Sequence, residues 1–192
     1  MIKGLICVLI AYLIGSINFS IIICKFKNID IKKVGSGNAG ATNMVRALGK
    51  KYGVIVFLLD FLKGAVSCAI ARFFAEDFVI FAGIFAILGH IFPLYHGFKG
   101  GKGVSTTYGA VAVINIWVAL IVGLMHLILI KVTGVVSVST LISFVILPFA
   151  FWIFDNNVYQ IVLCAVISVI VIYAHRSNIK RLIKGEENTF KK

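Results

Sequence analysis

Charge is scarce in this 192-residue chain: Asp, Glu, Lys and Arg together make up 14% of it, and only seven residues are acidic. Soluble proteins keep their apolar share near 45–50%, whereas here it is 60%. One core of this length cannot hide that much apolar surface, so a compact soluble enzyme is excluded, and disorder falls with it. The four cysteines (Cys7, Cys24, Cys68, Cys164) show no C-x-x-C spacing and sit within or at the ends of apolar runs. That pattern fits small buried hydrophobes and excludes a disulfide framework, a zinc site or a nucleophile. No A-x-A-like cleavage site follows the apolar run after Met1-Ile2-Lys3, so this run is expected to be a first transmembrane helix and not a cleaved signal. There is no internal repeat and no low-complexity segment. Residues 1–192 are therefore expected to form a single integral membrane domain.

What the chain does have is long apolar runs. Three lie near 4–24, 53–75 and 78–97, each about the twenty residues that a bilayer needs. Further blocks cover roughly 104–130, 132–154 and 158–174. Mean hydropathy is +1.04 and the pI near 9.8. Of the nineteen Lys and Arg, seven lie in 25–51, two in 98–102 and six in 175–192, between or after the apolar runs. Such clusters mark cytoplasmic loops. They suit membrane lipids and an anionic substrate, and no nucleic-acid partner is expected. Three crossings between 104 and 174 would put the basic tail outside. The block 104–130 is therefore expected to fold as two short helices, turning near Asn115. The expected fold is an all-α polytopic membrane protein of about seven transmembrane helices including two short ones, N-terminus outside and C-terminus cytoplasmic.

Three polar segments then share the cytoplasmic side. The first, Gly35-Ser36-Gly37-Asn38-Ala39-Gly40-Ala41-Thr42-Asn43, with Arg46 beyond it, matches G-x-G-x-x-G. No strand precedes it, so the dinucleotide reading fails its context. The glycines still let backbone N–H groups approach an anion. Ser36, Asn38, Thr42 and Asn43 offer hydrogen bonds, and Arg46 offers a bidentate phosphate contact. The second segment runs from Gly89-His90-Ile91-Phe92-Pro93 to Phe98-Lys99-Gly100-Gly101-Lys102-Gly103. It approaches a Walker A loop, but Gly103 stands where Ser or Thr must follow the lysine, so ATP hydrolysis is not expected. A glycine nest with two lysines is an anion cradle. For His90 a structural role and a site role are both open, His96 reads as interfacial and His126 as structural. In the third segment, if it is helical, His175, Asn178, Leu182 and Glu186 share one face and Arg176, Lys180 and Lys184 another. Asp60 and Lys63, at i and i+3 inside the second run, can pair.

Taken together, these residues are similar to one family. Tyr12 to Ser16, Gly35 to Asn38 with Gly40 to Asn43, Asp60 with Lys63-Gly64, Gly89 to Pro93, Phe98 to Val104, and His175-Arg176 with Asn178-Ile179 and Arg181-Leu182 resemble the bacterial acyl-phosphate-dependent glycerol-3-phosphate acyltransferases, integral membrane enzymes. Asn18 departs from the pattern, which usually has proline there. The resemblance implies acyl transfer from acyl phosphate to the 1-hydroxyl of sn-glycerol 3-phosphate, giving lysophosphatidic acid and phosphate, the first step of phospholipid synthesis. It also implies a bacterial cytoplasmic-membrane location, no cofactor, no metal, and a functional link to an enzyme that makes acyl phosphate. By its motifs Ser36, Arg46, Lys102 and His175 are catalytic. Gly37, Asn38, Thr42, Asn43, Lys63, His90, Gly97, Lys99, Gly100, Gly101, Gly103 and Asn178 bind substrate, and Glu186 supports the tail.

The residues fit this chemistry on their own terms. The positions five after the four histidines are Tyr95, Gly101, Lys131 and Lys180, so the H-x4-D pair of acyl-CoA-dependent enzymes is missing. An acyl phosphate is already activated and needs mainly positioning and charge stabilisation. Which group takes the hydroxyl proton stays open between His175 and a substrate phosphate. Short helices, glycine breaks and cationic pockets also describe a membrane transporter of a small phosphate ester, the alternative reading.

Overall fold

The computed structural model describes residues 1–189, which hold ten α-helices and no β-strand. The chain divides into two compact units, Met1–Ile114 and Asn115–Lys192.

The first unit contains α1 (Ile2–Ser16), α2 (Phe19–Phe26), α3 (Ala41–Leu48), α4 (Lys50–Phe74), α5 (Val79–Ile91) and α6 (Val104–Ile114). The first apolar run is broken at Ile17-Asn18, both in extended backbone. Asn18, fully buried, restarts the helix: its side chain accepts a hydrogen bond from the Ile21 N–H at 3.0 Å, as an N-cap does.

Helices α1 and α5 cross where Gly15 meets the Ala86 carbonyl and Gly89 meets that of Tyr12. Helices α4 and α6 cross in the same reciprocal way, Gly64 against Thr106 and Gly109 against Phe61. A Cβ at any of these four glycines would run into the facing backbone oxygen. Lipid tails are as apolar as the helices, so close approach at small residues does here what hydrophobic burial does in water. The core between the helices is correspondingly small-grained, with Cys7, Ala11, Cys68, Ala71, Ala82, Ala86 and Ala110. Leu5 and Leu9 on α1 and Leu58 and Leu62 on α4 face outward, as lipid-facing residues would. All four cysteines are free and buried, as their placement implied.

The two ends of this unit differ. Gly4 abuts the Phe78 ring, so the chain start and the acidic turn Glu76–Phe78 lie together. At the other end the segments 27–40 and 92–103 meet, with Gly101 against the Ala39 carbonyl.

The second unit contains α7 (Ile116–Thr133), α8 (Val136–Phe154), α9 (Val158–Ala174) and α10 (Arg176–Ile183). Asn115 caps α7, accepting from the N–H groups of Trp117 and Val118 at 3.1 Å, and donates to Asp155 at 3.3 Å. Asn157 caps α9 in the same manner. His126 is buried with Nδ1 3.2 Å from Ser143 Oγ, a structural setting.

The break at Asn115 falls where expected, but only one of the two helices beside it is short. Helix α6 has 11 residues, while α7 has 18 and runs past the expected end at 130 to Thr133. It stops at Gly134, whose φ of +72° gives the left-handed residue that closes a helix. Among the described residues, Ile2–Phe26, Lys50–Phe74, Glu76–His96, Ile116–Thr133 and Val136–Phe154 are each long and apolar enough to cross a bilayer. Helix α9 is apolar and meets α10 at a bend of 57°, and α6 is a shorter apolar helix. The chain is an all-helical, multi-pass membrane protein.

Candidate active site

The first glycine loop is held by one side chain. Asn43, on α3 and 1% exposed, donates from Nδ2 to the carbonyls of Ile31 at 3.2 Å and Val34 at 2.9 Å. Its Oδ1 accepts from the Ser36 N–H at 3.0 Å. Both amide donors of Asn43 are thus spent on its own loop, and the sequence expectation that they face substrate gives way to a bracing role. Gly35 and Gly37 take φ of +56° and +69°, which only glycine adopts cheaply. A Cβ on Gly35 would collide with Asn43 Oδ1 and stand 3.1 Å from Arg46 Cδ. The Arg46 stem therefore lies along the Gly35-Ser36 peptide. Asn38 and Thr42 flank the start of α3, both partly buried. From the other side, Asn18 Nδ2 donates to the Ala39 carbonyl at 3.4 Å.

The second loop is held by backbone. The N–H groups of Gly100 and Gly101 donate to the carbonyls of Ile91 and His90, both at 3.1 Å. These carbonyls end α5 and have no further helical turn to receive from. The loop supplies that turn, so the expectation that these two amides form a phosphate nest is corrected: the helix end claims them first. A Cβ on Gly101 would strike His90 Nε2 and stand 2.7 Å from the Ala39 carbonyl, and one on Gly100 would strike the His90 carbonyl. Gly97 and Gly103 have φ of +62° and +84°. Lys99 is exposed and Lys102 partly buried.

Behind the loops lies a buried polar cluster. Lys63 Nζ is 2.8 Å from Asp60 Oδ1 and donates at 2.8 Å to the Ile17 carbonyl, left without a helical partner by the Asn18 break. His90 Nδ1 is 3.5 Å from the same Asp60 oxygen. All three side chains are buried. The cluster ties the break in the first span to α4, to α5 and, through His90, to Gly101. Sequence spacing gave the Asp60–Lys63 pair, but nothing in it pointed to His90, thirty residues away.

The remaining predicted residues stand in the second unit. His175 ends α9, buried, with Nδ1 2.8 Å from the Val171 carbonyl. Asn178 Nδ2 donates to Glu187 Oε1 at 2.7 Å, and Arg181 Nε to Glu187 Oε2 at 2.8 Å. Glu186, expected on this face, is exposed instead. Helix α10 stops at Ile183, Gly185 turns the chain with φ of +70°, and the helical spacing that reached to 186 no longer applies. The Lys184-Gly185 stop signal is the feature that would have pointed to Glu187.

The sequence profile of the glycerol-3-phosphate acyltransferases matches residues 5–185. The chain belongs to that family. It is 43% identical over 191 residues to the glycerol-3-phosphate acyltransferase of Aquifex aeolicus, covering 98% of this chain and 100% of the relative. To that of Mycoplasmopsis pulmonis it is 38% identical, covering 94% and 90%. Among solved structures it is similar to PlsY, an integral membrane glycerol 3-phosphate acyltransferase. Its glycerol 3-phosphate form matches with a TM-score of 0.94 at 43% identity, covering 97% of this chain and 95% of that one. The lysophosphatidic acid form matches with a TM-score of 0.90 at 42% identity, covering 97% and 94%. The family is one of acyltransferases, which sets the transporter reading aside.

Proposed function

We propose that this acyltransferase moves a fatty acyl group from acyl phosphate to the 1-hydroxyl of sn-glycerol 3-phosphate, releasing 1-acyl-sn-glycerol 3-phosphate and inorganic phosphate. The hydroxyl oxygen attacks the acyl carbonyl carbon, the carbon–oxygen bond to phosphate breaks, and the hydroxyl proton passes to a phosphate oxygen or to His175. The observation that carries this reading is the Gly35–Arg46 loop. There Asn43 fixes the Ser36 backbone and the Arg46 stem lies beside Gly35, so the two residue types that suit an activated phosphate ester, a hydroxyl and a planar guanidinium, belong to one ordered loop. The relatives' names, which specify glycerol 3-phosphate and lysophosphatidic acid, support the acceptor and product.

Within this reading Ser36, Arg46, Lys102 and His175 form the catalytic set. Thr42, Asn38 and Gly37 line the first loop, while Gly97, Lys99, Gly100, Gly101 and Gly103 shape the acceptor's phosphate site. Lys63 and His90 wall it, Asn178 orients the acceptor, and Asn43 and Glu187 brace. The chain works as one domain, a view supported by the span of the family match across both units. It lies in the bacterial cytoplasmic membrane with the loops 27–40 and 92–103 facing the cytoplasm. That side is supported by cation clusters at the loop end and acids at the Glu76–Phe78 end. An enzyme that phosphorylates or transfers fatty acyl groups to phosphate must supply the donor.

The test is purified full-length protein in lipid vesicles, given labelled glycerol 3-phosphate and palmitoyl phosphate with neither coenzyme A nor metal. Labelled lysophosphatidic acid is the expected product. Vesicles that instead accumulate unmodified glycerol 3-phosphate would overturn the reading.

A further inference from the structure

Helix α10 has two different faces. One is turned inward: His175 and Asn178 are buried, and Arg181 is paired with Glu187. The other carries Arg176, Lys180 and Lys184, spaced i, i+4 and i+8 so that they form one exposed stripe. No described acidic side chain forms an ion pair with this stripe; the salt bridges lie elsewhere.

Its place relative to the apolar span is equally specific. Tyr173, in the last turn of α9, is 63% exposed, and the Arg176 guanidinium sits 4.9 Å from its ring. Tyrosine and arginine at the end of an apolar helix mark the head-group level of a bilayer. There the chain bends by 57°, so α10 leaves the direction of the span as soon as it passes this level. Lys180, Arg181, Ile183, Lys184 and Glu186 line a concavity of about 250 Å³ at its end. Ile183 is 81% exposed beside these ammonium groups, an arrangement with an apolar foot and cationic heads. Glu186 contributes a carboxylate to the rim, against two lysines and an arginine.

We propose that the outer face of α10 binds the phosphate head groups of anionic bilayer lipids, with Arg176, Lys180 and Lys184 as the contacts and Ile183 dipping towards the acyl chains. Charge complementarity, the head-group level fixed by Tyr173 and the bend all favour lipid over a soluble anion. The surface belongs to the lipid environment and is separate from the acyl-transfer chemistry.

The experiment uses the full chain in vesicles of phosphatidylcholine containing 0 to 30 mol% labelled phosphatidylglycerol. All four native cysteines are buried, so a dye at Ser177→Cys, on exposed α10, reports energy transfer from nearby anionic lipid. Each basic residue at an anionic surface enriches it roughly fivefold at low salt. The variant Arg176→Gln/Lys180→Gln/Lys184→Gln should therefore lose at least roughly tenfold in anionic-lipid enrichment at the dye, while turnover in pure phosphatidylcholine stays unchanged. Lys32→Gln/Lys33→Gln/Lys50→Gln removes the same charge elsewhere and should leave the enrichment intact. Equal enrichment in the α10 variant and the wild type would overturn the proposal, and so would an equal loss in both triple variants, which would reduce the effect to bulk charge. If free phosphate at millimolar concentration displaced the labelled lipid as well as unlabelled phosphatidylglycerol does, a soluble anion would be the occupant instead.

Discussion

The two glycine loops look alike in sequence and are ordered by opposite means. Around Gly35 the backbone takes left-handed turns, and a single buried amide, Asn43, gathers three backbone groups to fix them. Around Gly100 and Gly101 the backbone itself completes the end of α5, and the glycines are there because His90 and Ala39 leave no room for a Cβ. One loop needs glycine for its torsion angles and the other for its neighbours. In the first, order depends on a replaceable side chain; in the second, on main-chain bonds that no single side-chain deletion removes.

Substitution separates these cases, and the largest effect should come at Gly101. Alanine there meets His90 Nε2 and a backbone oxygen, so overpacking should cost about 1–3 kcal/mol of stability. The KM for glycerol 3-phosphate should rise more than that for acyl phosphate. Gly97→Ala is the internal control: nothing stands within 4 Å of its Cβ position, and only its φ of +62° resists. Thermal unfolding in detergent beside two-substrate kinetics reads both, and equal behaviour of the two variants would break the contrast.

Next comes Arg46→Lys, which keeps the charge of the first loop but not the planar fork. Six other cations in 25–51 hold the topology, so the variant should insert normally, as cysteine accessibility can check. It should lose roughly tenfold in kcat/KM, about 1.4 kcal/mol. Normal turnover would remove Arg46 from the site.

Asn43→Asp tests the brace. It keeps the shape but turns two donors into an acceptor facing the carbonyls of Ile31 and Val34. A loss of about 2 kcal/mol in stability is expected, with kcat falling through Ser36 while the 97–103 loop keeps its protection from hydrogen exchange. Simultaneous loss of protection in both loops would show that they are not independently ordered.

The tail serves as a reference outside both loops. Glu187→Gln weakens the bonds to Asn178 and Arg181 and should destabilise by about 1–2 kcal/mol, whereas Glu186→Gln should stay within about 0.5 kcal/mol. A chemical denaturation series on the two variants decides which glutamate is the structural one.

Much of this is legible in the sequence. Apolar runs set the long helices, and 158–174 coincides with α9. The Asn115 break followed from charge parity. What was not legible has physical causes. Hydropathy cannot see where a helix ends inside an apolar run, so α7 was expected three residues short of the Thr133-Gly134 stop. A buried asparagine reads identically whether it faces a ligand or its own backbone, so Asn43 could not be assigned from its type. The competition for the Gly100 and Gly101 amides is set by the unsatisfied end of α5, which exists only once loop and helix are folded together. Glu187 is out of reach of a helical-spacing argument because α10 ends at Ile183 and Gly185 turns the chain.

The Asp60–Lys63 pair bears on how the protein is made. Each charge alone would add about 3 kcal/mol to the cost of moving a helix from the translocon into lipid. Because the two lie one turn apart on α4, 2.8 Å from each other, they can neutralise one another before any other helix has arrived. Helix α4 carries its own counter-ion through biogenesis, and His90 and the Ile17 carbonyl have only to join a pair that is already formed.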